Sequence, residues 1–270
     1  MRTFNAFMCG LAGACAIGLG AGFGNAAHAG VLVASGDEWT LSDYAYDAVY
    51  KAGTEAFVKD LVTTFGGSNY LLLTGNGNVP LGQLGQLTAQ LTGLGKTVAT
   101  SATFDLATAS AYDAVFHFGQ GFSAPQFAAL GAYMDGGGNA YVSLGSGWYG
   151  TAAGEAAAWN PFFADYGLVA GGTWFSAPGF VNVTVTSGPP GATNLIWGYG
   201  QSIDRLPDGP GVSYLRGSFA GGPTDIGLVG SSQALGVVAG VPEPATWALL
   251  IMGFGAAGAM LRRRDRVAFG

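Results

Sequence analysis

Between residues 31 and 166 the chain alternates short apolar runs with longer amphipathic ones, and this alternation limits its fold more than any other feature. Residues 31–34, Val-Leu-Val-Ala, read as a buried strand. Residues 54–65 place apolar side chains at helical spacing and stop at Gly66 and Gly67, a helix end. Residues 69–74 return as a strand, residues 81–94 carry Leu at 84, 87, 91 and 94 and read as a helix closed by Gly95, and residues 96–103 form a third strand. Residues 114–118 make a fourth, after which Ser123 caps a helix that has Pro125 near its start and runs to Met134. Past a turn at 135–138 come a fifth strand at 139–144 and a helix from about 152 to 166. Strand and helix in regular turn predict an α/β fold, a parallel sheet with right-handed crossovers and helices on its faces.

After Gly171 the pattern changes. Residues 180–186 alternate as a half-exposed strand, residues 187–191 form a turn, and shorter strand candidates follow at 212–215, 226–229 and 235–238. These predict a β-rich extension over 171–240 that completes the same domain. No fixed-period repeat interrupts the chain.

Both ends look like addresses. At the front, Arg2 precedes a small, apolar stretch from 4 to 23, and Ala27-His28-Ala29 has the A-x-A form of a signal-peptidase site, so the mature chain is expected to start at Gly30. At the back, Pro242-Glu243-Pro244, then Trp247-Ala248, an apolar run to Leu261 and the basic group Arg262, Arg263, Arg264 and Arg266 follow one another. The prolines bar a helix through the motif, so a helix begins near Ala245, with Trp247 placed as an interfacial anchor. Residues 247–261 rise only about 22 Å as a helix, against roughly 30 Å of hydrocarbon, which suits transient rather than permanent spanning. The alternative is a buried terminal helix with a frayed basic end; a second targeting segment at the other terminus favours the membrane reading. This order resembles the PEP-CTERM sorting signal of Gram-negative bacteria in its Pro-Glu-Pro-x-x-Trp-Ala form. The resemblance implies export, passing residence in the inner membrane, cleavage by an exosortase-type enzyme, and delivery to the cell surface or extracellular matrix.

Cys9 and Cys15 both lie in the leader, so the mature chain can use neither a thiolate nucleophile nor a cysteine metal site. Between residues 30 and 240, fourteen acidic side chains against five basic ones leave a net charge of −9. Such a surface repels polyphosphate, and nucleic acid is not an expected partner. The remaining polar residues are mostly Gly, Ser, Thr, Asn and Gln interleaved with aromatics, which suits a neutral polymer such as extracellular polysaccharide. No cofactor or metal motif is present, and none is expected.

A second resemblance covers the middle of the chain. Tyr112-Asp113-Ala114-Val115-Phe116-His117-Phe118-Gly119, the Gly136–Gly138 turn with residues 139–145, and Phe163-Ala164-Asp165-Tyr166-Gly167-Leu168 resemble the class I glutamine amidotransferase-like superfamily. That resemblance implies a flavodoxin-like fold. It also shows what is missing: Ser143 stands where the enzymes of that superfamily carry their catalytic cysteine, no later strand supplies their histidine, and Tyr141 replaces the first Gly of a G-x-S-x-G elbow. His117 is the one histidine after the leader; a triad with Ser143 would need the two side chains to meet.

Ligands of open α/β sheets bind beyond the carboxyl ends of the strands. Those ends carry Asp37, Glu38 and Trp39, then Asn76, His117 with Gln120, and Ser146 with Trp148, which together form the candidate ligand site. Trp39 and Trp148 either stack on a sugar ring or cap the sheet under glycine-rich loops. Asp37 and Glu38 could serve as paired acids or bind calcium, but neighbours on an extended strand end point to opposite sides. Asp43 and Asp47 read as a solvated helix face, and Trp159, Trp174 and Trp197 as core. The favoured function is a non-catalytic surface or matrix protein that binds exopolysaccharide; the alternative is a secreted hydrolase or carbohydrate-active enzyme on the same scaffold. Glu243→Ala is expected to leave uncleaved precursor in the membrane, and mass spectrometry of native surface material that still found the tail intact through Gly270 would count against processing.

Overall fold

The computed structural model describes residues 30–236 apart from residues 77, 189–193 and 219–222. The expected leader and the sorting tail with its membrane segment lie outside the described residues. Among the described residues no helix is long and apolar enough to cross a membrane.

The first half runs β1 (Leu32–Ser35), α1 (Lys51–Phe65), β2 (Asn69–Leu73), α2 (Gly85–Gly93), β3 (Thr97–Ser101), α3 (Leu106–Ala109), β4 (Ala114–Phe118), α4 (Ala124–Asp135), β5 (Asn139–Ser143) and α5 (Ala152–Asp165). Four longer strands follow: β6 (Leu168–Ser187), β7 (Leu195–Arg205), β8 (Val212–Ser218) and β9 (Ile226–Ser231). Among the described residues nine strands join one mixed sheet in the order β3-β2-β4-β5-β1-β9-β8-β6-β7. Pairing is parallel from β3 to β1 and antiparallel beyond.

Alternation along the parallel strands divides the interior in two. Tyr70, Leu72, Phe116, Phe118 and Tyr141 face α1 and α2, where Phe57, Val58, Leu61, Leu87 and Leu91 meet them. Leu71, Leu73, Val115, Ala140 and Val142 face α4 and α5 and pack on Leu130, Met134, Trp159 and Phe163. Covered on both sides, β4 and β5 are buried at every position, as a central parallel strand should be. Burying Phe57, Val58 and Leu61 of α1 contributes about 1.5–3 kcal/mol each, and the glycine that ends this helix, Gly66, takes φ 61°.

Several expectations change. The helix expected over 81–94 is a short 3-10 turn, Leu81–Gln83, followed by α2. Gly82 and Gly85 weaken the helix, and Asp43 fixes its start because Asp43 Oδ1 accepts the Gln86 N–H at 2.7 Å. Asp43 is thus a cap rather than part of a solvated face. Strand β6 begins at Leu168, before the expected change of pattern, and β7 was not foreseen; Leu235 lies in a bend, and the rest of the strand expected at 235–238 is outside the described residues. The strand order also departs from the flavodoxin-like 2-1-3-4-5. Here β1 stands on the far side of β5, paired in parallel with it and antiparallel to β9. Counted from β2, the five parallel strands do read 2-1-3-4-5, so the first strand occupies the place of a fifth.

The described chain enters and leaves at one end of the sheet. The Gly30 N–H donates to Met134 O and the Gly236 N–H to Thr64 Oγ1, each at 2.9 Å, both at the amino ends of the parallel strands. Asn139 locks this end: its Oδ1 accepts the Val31 N–H at 2.9 Å, and its Nδ2 donates to Phe65 O at 3.1 Å and Asp113 O at 3.0 Å. Asn139→Ala is expected to cost about 1–3 kcal/mol, because it leaves buried backbone groups without partners, and a urea-unfolding midpoint measures it.

Candidate functional site

At the carboxyl ends of the parallel strands, β2 and β4 lie side by side, and their exits run to opposite faces of the sheet: β2 leads to α2, β4 to α4. The crevice this opens is where open α/β sheets take ligands. Glu38 fills its floor. Asn78 Nδ2 donates to Glu38 Oε1 at 3.0 Å and Asn76 Nδ2 donates to Glu38 Oε2. Asn76 also donates to Phe118 O, and Asn78 to Ser146 O at 3.2 Å, so the two amides tie the ends of β2, β4 and β5 to one carboxylate. Gly119, at φ 82°, closes this packing: a Cβ there would lie 2.7 Å from that of Ser146.

Behind the floor lies a second acid. Glu155 of α5 is fully buried; its Oε2 accepts the Gly145 N–H at 3.0 Å and its Oε1 the Ser146 hydroxyl at 3.1 Å. Burial raises its pKa against those bonds. Glu38 is pushed up to about 7 by burial, opposed by the two asparagines and reinforced by the nearby charges of Asp37 and Glu155. Asp37 is likewise raised to about 7 by burial. Its carboxylate turns away from the crevice: Oδ1 accepts from Trp39 N at 2.8 Å, and Oδ2 from Gly198 N at 2.6 Å and Tyr199 N at 3.3 Å. Asp37 therefore fastens β7 to the end of β1, and the two neighbouring acids serve opposite sides.

His117 and Gln120 do not join the crevice. The His117 ring is wedged between Phe122 and Trp159, with centroids at 4.9 and 5.0 Å, and burial lowers its pKa to about 4. Its Nε2 lies 2.6 Å from Gln120 O and its Nδ1 accepts the Gly119 N–H at 3.3 Å. Because a carbonyl can only accept, the ring is neutral with its proton on Nε2. Ser143 Oγ donates to the His117 backbone carbonyl at 3.2 Å, so the bond between these residues runs to main chain and not to the imidazole. The Gln120 side chain turns inward to accept the Phe118 N–H at 3.2 Å.

The aromatics stand on two sides. Trp39 packs on the α1 side and meets Tyr44 edge to face at 5.7 Å. Trp148 is 56% exposed, with its indole lying so close over Gly121 that a Cβ there would come within 2.0 Å of Nε1. Its backbone N–H donates to Ser146 Oγ at 3.1 Å. Beyond Gly147, the rings of Trp174 and Tyr199 meet at a tilt of 51° with centroids 4.7 Å apart, and Tyr199 is 37% exposed. Trp159 and Trp197 are core, as expected from sequence, while Trp174 is half-buried beside Tyr199. Asn78, Glu155 and Tyr199 were missed by sequence reasoning. A lone acid in the alanine-rich turn Ala152-Ala153-Gly154-Glu155-Ala156-Ala157 was the available signal for Glu155. A cavity of about 240 Å³ at the opposite end offers less chemistry, since its one acid, Asp113, is occupied by the Ser68 and Asn69 amides.

Residues 240–264 match the model of the PEP-CTERM protein-sorting motif. No curated protein and no solved structure shows a match to the chain. The motif marks an exported protein processed by an exosortase at the membrane.

The raised acids set a pH response. A carboxyl whose folded pKa lies above its unfolded value binds protons more readily when folded, so its contribution falls as pH rises between the two values. For Asp37 and Glu38 that window runs from about 4 to about 7, with a ceiling near 1.4 kcal/mol per pH unit for each group. Denaturant unfolding is expected to show lower stability at pH 8 than at pH 5, and Glu38→Gln should flatten that slope.

Proposed function

We propose that this exported, exosortase-processed chain is a non-catalytic surface or matrix protein that binds extracellular polysaccharide at the carboxyl ends of its parallel strands. One observation carries the reading: Trp148, largely exposed, is fixed by Gly121 and Ser146 at the rim of a floor of amides and carboxylates. An indole face stacks on the apolar face of a sugar ring, while Asn78 and Ser146 offer hydroxyl partners beside it. Trp174 and Tyr199 extend the same aromatic surface for a second residue of a polymer. The net acidity of the body suits a neutral chain better than an acidic one.

The absence of activation at the polar groups supports a binding role. The Ser143 hydroxyl bonds to the His117 carbonyl and not to its imidazole, and a serine without a base is barely nucleophilic. Glu155 lies behind Ser146, and both oxygens of Glu38 are occupied by asparagine amides. The resemblance to the amidotransferase-like superfamily fits best as a permuted flavodoxin-like layout that has kept the sheet and lost the nucleophile.

Affinity electrophoresis in polysaccharide from the producing bacterium tests the proposal. Trp148→Ala is expected to weaken binding by about one to two orders of magnitude, on the scale of stacking losses measured with nucleobases, with a smaller loss for Tyr199→Ala and none for Ser143→Ala. Cleavage of the polymer that disappears with Ser143→Ala or Glu38→Gln would replace this reading with a hydrolase.

A further inference from the structure

Beneath the aromatic surface sits a polar side chain that the fold does not satisfy. Gln201 of β7 is fully buried, and among the described residues neither its Oε1 nor its Nε2 meets a hydrogen-bond partner. Its main chain is in use, since the Gln201 N–H donates to Gly36 O at 2.9 Å. The side chain alone is left over, and a buried amide without partners is costly because donor and acceptor have both lost water without replacement.

Its surroundings show from which side a partner comes. Side chains alternate along a strand, so Tyr199, Gln201 and Ile203 share one side of β7. Tyr199 is 37% exposed and Ile203 belongs to the core, which sets Gln201 one step below the surface. Across the strand pair Gln201 stands opposite Trp174, which is half-buried and whose ring meets that of Tyr199. Just before Trp174, at Gly171 and Gly172, β6 shifts register against β7, so the indole hangs from the irregular part of the pair. Its N–H turns toward Glu155, whose oxygens accept the Gly145 N–H and the Ser146 hydroxyl.

We propose that Gln201 is a specificity residue of the polysaccharide site: with the Trp174 indole turned aside, its amide takes two adjacent free hydroxyls of a sugar ring that stacks on Tyr199. This rests on the polysaccharide reading above and names the sugar class within it. A carboxamide presents an acceptor and a donor side by side. Neighbouring ring hydroxyls match that pair, one donating to Oε1 and the other accepting from Nε2. A uronate carboxylate can only accept, which leaves Oε1 unpaired, and it brings a negative charge toward Glu155. The ligand is therefore a neutral polymer whose linkages leave adjacent hydroxyls free, as links through O4 of a hexose do and links through O3 do not.

Calorimetry on the full exported chain in detergent tests this with two neutral probes, hexamers of O4-linked and of O3-linked β-glucose. The O4-linked hexamer is expected to bind about tenfold more tightly. Gln201→Met, which keeps the length of the side chain, is expected to remove that preference while melting about 2–4 °C higher, because an unpaired amide has become apolar. Equal binding of the two hexamers, or a preference that survives in Gln201→Met, would overturn the proposal and leave the polysaccharide site standing. A variant that melts lower or does not fold would overturn it too, by showing that the amide is paired before any ligand arrives. Binding of neither hexamer sinks the proposal, and affinity electrophoresis in the native polysaccharide then decides the site itself.

Discussion

Strand β1 is four residues long, and the architecture turns on it. One edge pairs in parallel with β5 from Leu32–Ala140 to Ser35–Ser143, and the other pairs antiparallel with β9 from Val33–Ser231 to Ser35–Val229. Among the described strands it is the one that pairs in parallel on one edge and antiparallel on the other. Its neighbours extend the same bridge: Gly36 N donates to Leu228 O and Gly36 O accepts from Gln201 N, where a Cβ at residue 36 would collide with the β7 carbonyl at 1.8 Å. Asp37 then fastens the backbone of Gly198 and Tyr199. Within three residues of its carboxyl end, β1 has organised β9, β7 and the crevice.

That arrangement explains why ionisable groups are buried where burial is expensive. Asp37 cannot be replaced by an apolar side chain without leaving the two β7 amides unsatisfied, and Glu38 plays the same part for Asn76 and Asn78. Loops from β1, β2, β4 and β5 meet there, and carboxylates bond several of their donors at once. The crevice is thus tied together at its floor, and above it stand the indole of Trp148 and the ring of Tyr199.

Much of the parallel half was legible in sequence. The β4 segment Ala-Val-Phe-His-Phe reads as a strand because nothing in it suits a surface, and α1 reads as a helix because Phe57, Val58, Leu61 and Phe65 fall on one side. The order of strands was not legible: which edge of the sheet takes β1 depends on the partner β9, some two hundred residues away, and local pattern carries no such information. Strand β7 was hidden by Gly198 and Gly200, which break alternation; at Gly200 the strand passes so close over Gly36 that a Cβ would lie 2.5 Å from the Gly36 carbonyl oxygen. Position after a strand was enough to place Glu38, Asn76, Ser146 and Trp148 near the carboxyl ends of the parallel strands. It could not tell that Asp37 and His117 turn inward, since that choice is made by β7 and Trp159.

Both described ends of the chain, Gly30 and Gly236, lie at the amino ends of the parallel strands, and the crevice lies at the other. From Gly236 to Pro242 is six residues, a reach of at most about 20 Å. A chain held by its tail would thus be held from the end opposite the aromatic rim, which leaves the crevice as the part farthest from the point of attachment.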